Sequence, residues 1–228
     1  MGVPATQGQL RTTLEEMNIG DYIPCKYLSG DGGSPGEFVE LGIATGEEIP
    51  IAINQPIAPN GLFYFIKVDK GLLIADRVIH TNRTWSQYMS SYYVEGKIIS
   101  DNILIRFLTG GCAYVDPNGN PAKSDYGKGA FPTINEWDTY IVNSDLDGKI
   151  TPGDDNVWHW SATQTFCKET PIATITTEEY RICRGGSYGL QSFRTNFRVT
   201  SQNEETGFRP VLEYIELDGS SRQTTLFY

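Results

Sequence analysis

The chain has 228 residues, enough for one large domain or a domain with a small companion, and long enough to bury a core without staples. Its 39% hydrophobic and 20% charged residues are those of an ordinary globular protein, and 24 Gly with 12 Pro predict many turns. A formal charge of -10 repels polyphosphate, which disfavours nucleic acid as a partner and suits divalent cations.

No stretch approaches the length of a membrane span. Met1 to Thr6 lacks the basic region and apolar core of a secretion signal, although it fits the loose acylation pattern M-G-x-x-x-[ST]. Asn82-Arg-Thr84 is a formal glycosylation acceptor. Cys25, Cys112, Cys167 and Cys183 form no CxxC pair, so a zinc site is not expected; buried thiols or up to two disulfides both fit.

Leu10, Leu14 and Met17 recur at helical spacing, and Asn18-Ile-Gly20 closes a predicted short helix. Tyr22 to Tyr27 and Phe38 to Leu41 read as strands around a Gly/Ser/Asp loop, with a third strand at Ile49 to Ile53. The proline-bearing stretch Asn54 to Asn60 reads as a joint. It divides an N-terminal attachment or oligomerisation segment, 1–58, from a main domain, 59–228. Leu62 to Val68 and Leu72 to Ile79 flank Asp69-Lys-Gly71 and predict a hairpin. Thr84-Trp-Ser-Gln87 predicts a capped helix carrying Trp85, Tyr88 and Met89 inward, and Asn102 to Leu108 is a further strand.

Phe131 to Tyr140 has the form of a helix start. Thr133 and Glu136 are spaced for a capping box, and Ile134, Trp137, Tyr140 and Ile141 fall on one face. The loop that follows, Asn143-Ser-Asp-Leu-Asp-Gly-Lys-Ile-Thr-Pro-Gly-Asp154, has the ligand spacing of an EF-hand. Asn143, Asp145 and Asp147 would give side-chain oxygens, Lys149 a carbonyl and Asp154 the closing carboxylate. Calcium is the one cofactor this pattern points to; an Asp/Asn/Gly turn with no ion is the alternative. A strand is expected at Val157.

Four blocks then occur in order: Phe131-Pro-Thr-Ile-Asn-Glu-Trp-Asp138, Val157-Trp-His-Trp160, Arg184-Gly-Gly-Ser-Tyr188 and Gly207-Phe-Arg209. They resemble the "LPTEAEWE", "VWEW", "RGGSW" and "GFR" blocks of the sulfatase-modifying-factor (formylglycine-generating-enzyme) family. The resemblance covers about Phe131 to Tyr214. It implies an α+β, C-type-lectin-like domain, loop-rich, with small antiparallel sheets and few short helices, preceded by the N-terminal helix/β segment.

The residue types agree with scaffold roles. Gly185-Gly186 allows close approach, Arg184 and Arg209 offer forked donors for carbonyls and carboxylates, and Trp137, Trp158 and Trp160 supply bulk. Family oxidases carry paired cysteines soon after the RGGS block, whereas Tyr188 to Asn196 here has none. Iron-dependent relatives need clustered histidines, and this chain has only His80 and His159. No enzymatic activity is therefore expected.

In the lectin-like receptor-binding proteins of phages, the loop after the RGGS block carries partner contacts. The matching positions are Tyr188, Gln191, Phe193, Arg194, Asn196 and Arg198. The resemblance thus implies a receptor- or ligand-binding protein at a phage tail tip, fibre or tail-like particle, in the virion or an extracellular particle. It would be a homo-oligomer, a trimer by analogy, joined to other particle proteins by its N-terminal segment. The partner would be a host cell-surface glycan or protein. A bacterial cell-surface adhesin and a cryptic enzyme of the same family are the competing readings.

Overall fold

A computed structural model describes residues 2–31, 34–51, 59–100, 102–173 and 175–215, apart from the side chain of Asn196. In chain order the strands are β1 (Tyr22–Leu28), β2 (Glu37–Val39), β3 (Asn60–Asp69), β4 (Leu72–Ala75) and β5 (His80–Thr81). Helix α1 (Trp85–Ser90) precedes β6 (Lys97–Ser100), β7 (Ile103–Phe107), β8 (Ala113–Val115), β9 (Pro121–Ala122) and β10 (Ala130–Phe131). A π-helical turn (Trp137–Val142) and α2 (Asp155–Trp158) lead to β11 (Gln164–Phe166) and β12 (Tyr180–Gly185). A 3-10 turn (Gly186–Tyr188) then enters β13 (Phe193–Arg198), β14 (Thr206–Phe208) and β15 (Pro210–Tyr214).

These strands form a seven-stranded sheet, β2-β1-β3-β4-β15-β7-β6, a five-stranded sheet, β13-β12-β11-β14-β5, and a small sheet, β10-β8-β9. The protein is sheet-rich and loop-rich with few short helices. No helix among the described residues is long and apolar enough to cross a membrane.

The uninterrupted apolar run of β3 follows from burial on both faces. Phe63 and Phe65 enter the core that joins the two large sheets, with Phe107, Phe166, Cys183 and Phe208. Ile66 and Val68 point the other way, onto Trp137, Ile141 and Trp158. The hairpin β3–β4 forms as predicted, with a register shift between Lys67 and Asp69, but its second strand ends at Ala75 and not at Ile79.

The N-terminal segment shares this architecture. β1 pairs with β3 along its whole length, and Leu14, Met17, Ile23, Tyr27, Phe38 and Ile49 belong to the same core cluster as Phe63. A boundary at residue 58 thus separates no independent core among the described residues. Most of the predicted joint, and the end of the strand predicted at Ile49 to Ile53, lie outside the described residues.

The helix expected over Leu10 to Met17 is absent: Leu10 forms an isolated bridge with Tyr22, and residues 12–16 form bends and turns. The Asp21 carboxylate takes the backbone N–H groups of Gln9 and Asn18 and the Arg11 Nε. Arg11 N and Tyr22 N exchange bonds with Tyr22 O and Gln9 O. A helix this short is marginal by itself, so these tertiary partners prevail. The α1 capping box forms as predicted between Thr84 and Gln87, with Trp85 and Tyr88 buried. Met89, expected inward, is 45% exposed.

Candidate functional site

The blocks at Glu136, Trp158, Arg184 and Arg209 converge on the Trp137 indole. Arg184 and Arg209 are fully buried, with guanidinium carbons 5.6 and 5.9 Å from the Trp137 ring. Arg184 donates to Gly110 O at 2.6 Å and to Asp138 Oδ1 at 2.6 Å. Arg209 donates to Ala75 O at 2.8 Å and to Thr165 Oγ1 at 3.1 Å. Burial pulls the Arg209 guanidinium down to about 10, with Asp76 and Asp155 opposing. Gly185 must be glycine: its φ is +73°, and a Cβ there would lie 2.8 Å from the Trp137 ring and 2.9 Å from Trp160 O.

The Thr133–Glu136 capping box does not form. Glu136 N donates instead to Thr109 Oγ1 at 2.9 Å, and the Glu136 carboxylate pairs with the Arg106 guanidinium and accepts from Thr109 N. A fixed arginine outcompetes the local cap, because a charge-assisted forked pair is stronger than a neutral hydroxyl bond. The predicted helix becomes the π-helical turn, and Ile134, expected in the core, is 88% exposed. The strand expected at Val157 is the short helix α2, capped by Asp154.

This framework holds the loop that follows the 3-10 turn. The Trp137 Nε1 donates to Leu190 O at 2.9 Å, and Ser192 Oγ donates to Gly185 O at 3.0 Å. Tyr188 is thereby presented outward, 49% exposed, with the Arg194 guanidinium stacked 3.6 Å from its ring centre. Arg198 is exposed, 5.5 Å from the Tyr180 ring, and its Nε donates to Tyr180 Oη at 3.3 Å. Gln191 is exposed and lines a cavity of about 260 Å³ with Lys128, Thr133, Asp138 and Asn143. Phe193 departs from its expected role. It is buried, its ring 4.8 Å from Tyr114, whose hydroxyl donates to Phe193 O. It anchors the strand and offers no surface to a ligand. Asn196 lies in β13, and its side chain is outside the described residues.

Three of the five positions of the predicted calcium loop are bonded elsewhere. The Asn143 amide donates inward to Asp138 O at 2.5 Å, Lys149 O accepts from Gln7 N at 2.9 Å, and Asp154 Oδ1 caps α2 through Asn156 N. Leu146, Asp147 and Gly148 are all left-handed, which makes the segment a tight turn held by its own backbone. Among the described residues, no group of three or more His, Cys, Asp or Glu is placed to hold a metal ion.

All four cysteines are free thiols. Burial pushes Cys167 and Cys183 well above the ordinary thiol range. Register places Phe166 opposite Cys183, so adjacent Cys167 points to the other face of the sheet. His80 is fully buried, its Nδ1 2.8 Å from Tyr27 Oη. That hydroxyl also accepts from Gly36 N at 2.6 Å. His159 Nε2 lies 3.8 Å from Asp76 Oδ2, and burial lowers its pKa, with Asp76 opposing.

Two features escaped the sequence reading. The Glu169 carboxylate accepts the N–H groups of Gly110 and Gly111, where the Gly-Gly pair was the available signal. Lys128 and Thr133 reach the cavity from a stretch without periodicity, and nothing local marks them. Compared with known proteins, the chain matches no family model, no curated protein and no solved structure.

Proposed function

We propose that the chain is a non-catalytic receptor-binding protein of C-type-lectin-like build, which attaches a phage tail tip or tail-like particle to a host cell surface. The observation that carries the reading is the Tyr188–Arg194 stack. A half-exposed aromatic ring and a guanidinium sit at 3.6 Å on a loop that the buried Trp137 holds in place. A half-exposed tyrosine backed by a half-buried arginine on a rigid support combines contact area and directed donors at little entropic cost. The resemblance of the four blocks to the sulfatase-modifying-factor family supplies the lectin-like comparison, and their convergence on Trp137 supports it. Attachment to other particle proteins, and assembly as a homo-oligomer with a trimer favoured, belong to the same reading.

The test is binding of the labelled protein to intact cells of the bacterium whose genome or prophage encodes it. The double variant Tyr188→Ala, Arg194→Ala is expected to lose at least about tenfold in affinity, equivalent to about 1.4 kcal/mol, with an unchanged melting temperature. Equal binding by the variant overturns the reading.

A further inference from the structure

We infer that the cavity of about 260 Å³ lined by Lys128, Thr133, Asp138, Asn143 and Gln191 binds one neutral sugar unit, a ring rich in hydroxyls. The inference rests on the receptor-binding reading for the sugar's biological role, and on the cavity alone for the binding itself.

Asp138 sets the chemistry. It lines the cavity and is 7% exposed, and its two oxygens are unequally filled. Oδ2 accepts from Ala130 N at 3.1 Å, Asn135 Nδ2 at 2.8 Å and Arg184 Nη1 at 3.4 Å. Oδ1 accepts from Arg184 Nη2 at 2.6 Å. A carboxylate oxygen takes about two hydrogen bonds, so Oδ1 keeps one acceptor position that no group among the described residues fills. A ligand hydroxyl fills it by donating. A ligand carboxylate or phosphate would bring a second negative charge to the same place. Gly129 leaves room beside this carboxylate: a Cβ there would lie 3.4 Å from Asp138 Oδ2, and the φ of +80° itself favours glycine.

The remaining groups suit the same ligand. The Thr133 hydroxyl and the Gln191 amide are exposed and make no hydrogen bond among the described residues, and each can both donate and accept. Asn143 commits its Nδ2 to Asp138 O, which leaves its Oδ1 to accept. Neighbouring sugar hydroxyls, which also donate and accept, need this mixture. Lys128 is exposed, so its charge is screened by salt and it serves chiefly as a donor. Val142 offers an apolar contact for the C–H face of a ring. Ligand cavities run upward from about 300 Å³, and one of this size takes a single ring and not an oligosaccharide.

The test is titration of the ¹⁵N-labelled full chain with D-glucose, D-galactose, D-mannose and N-acetyl-D-glucosamine, followed by amide shifts. Affinities near about 1 mM are within its reach. At least one of the four sugars is expected to give saturable shifts centred on Gly127, Gly129, Asn143 and Gln191. Thr133→Ala with Gln191→Ala should weaken that binding at least tenfold, with an unchanged melting temperature. Lys26→Gln, which removes a remote cation paired with Glu40, should bind as wild type does.

No saturable shift with any of the four, shifts centred elsewhere, or equal binding by the double variant overturns the inference. So does tighter binding of D-glucuronate or inorganic phosphate, which would make the site one for anions. If cells are bound through Tyr188 while no sugar shifts the cavity, the receptor-binding reading stands and the sugar falls. If a sugar binds in the cavity while cells are not bound, the cavity stands and the attachment role falls.

Discussion

Arg184 on β12 and Asp138 in the π-helical turn meet at 2.6 Å in the protein interior, and the same guanidinium reaches Gly110 O. One side chain thereby joins the five-stranded sheet, the turn beneath the cavity and the loop after β7. Removing it leaves a buried carboxylate with Ala130 N and Asn135 but no countercharge. Arg184→Ala is expected to cost about 3–5 kcal/mol in urea unfolding. Arg184→Lys should recover only part of that, since a single ammonium cannot span Asp138 and Gly110 O with a fork's geometry. Equal stability of Arg184→Ala and wild type would refute the framework role.

Thr133 and Glu136 separate the local reading from the tertiary one. If the capping box operated, losing Thr133 would cost about 1 kcal/mol. With Glu136 bound instead to Arg106 and Thr109, Thr133→Ala should change stability by less than about 0.5 kcal/mol, as surface substitutions do. Glu136→Ala should cost about 1.5–3 kcal/mol, since Arg106 loses its forked partner but keeps Glu213, at 2.7 Å, and Phe107 O. Chemical denaturation of the two variants in parallel decides between the arrangements.

Phe193 and Tyr188 are both aromatic and near neighbours, yet opposite outcomes are expected. Phe193→Ala removes a buried ring packed on Tyr114 and should lower stability by about 3–5 kcal/mol. Tyr188→Ala leaves a surface and should stay within about 0.5 kcal/mol. Comparable losses in thermal unfolding would mean that Tyr188 is part of the packing and not a presented group.

The depressed pKa of His159 gives stability a sign with pH. The unfolded histidine takes up a proton as pH falls through about 6.5, whereas the folded one resists until lower pH. Its contribution is complete above about 6.5 and is lost as pH falls from there towards the folded value. His159→Asn suits the left-handed backbone, φ 44°, and does not titrate. Its melting temperature should therefore fall less than that of wild type between about pH 7.5 and about pH 5.5. An identical fall in both would remove His159 as a contributor.

The Asn143 to Asp154 turn holds its shape through Asn143, Lys149 O and Asp154, the groups a calcium ion would need. Calcium at about 1 mM, the range of weak extracellular sites, is expected to leave the melting temperature unchanged. A rise on addition that chelator reverses would show that the loop rearranges around the ion.

Some of this protein was legible in its residues alone. The β3–β4 hairpin is written in two apolar runs around Asp69-Lys-Gly71, and the α1 cap in Thr84 and Gln87, because both depend on neighbours a few residues away.

Elsewhere, distant partners decided. The Leu10 to Met17 pattern yields to Asp21 and Tyr22, and Thr133 loses Glu136 to an arginine 30 residues away. Phe193 turns inward because Tyr114, 79 residues upstream, supplies the surface it packs on. The cavity beside it is assembled from separate loops that no periodicity links. Short-range hydrogen bonds and periodic apolar faces leave a trace in the order of residues. A charge pair or ring contact across the fold leaves none until the chain has closed on itself, and only then is it known which side chains the site contains.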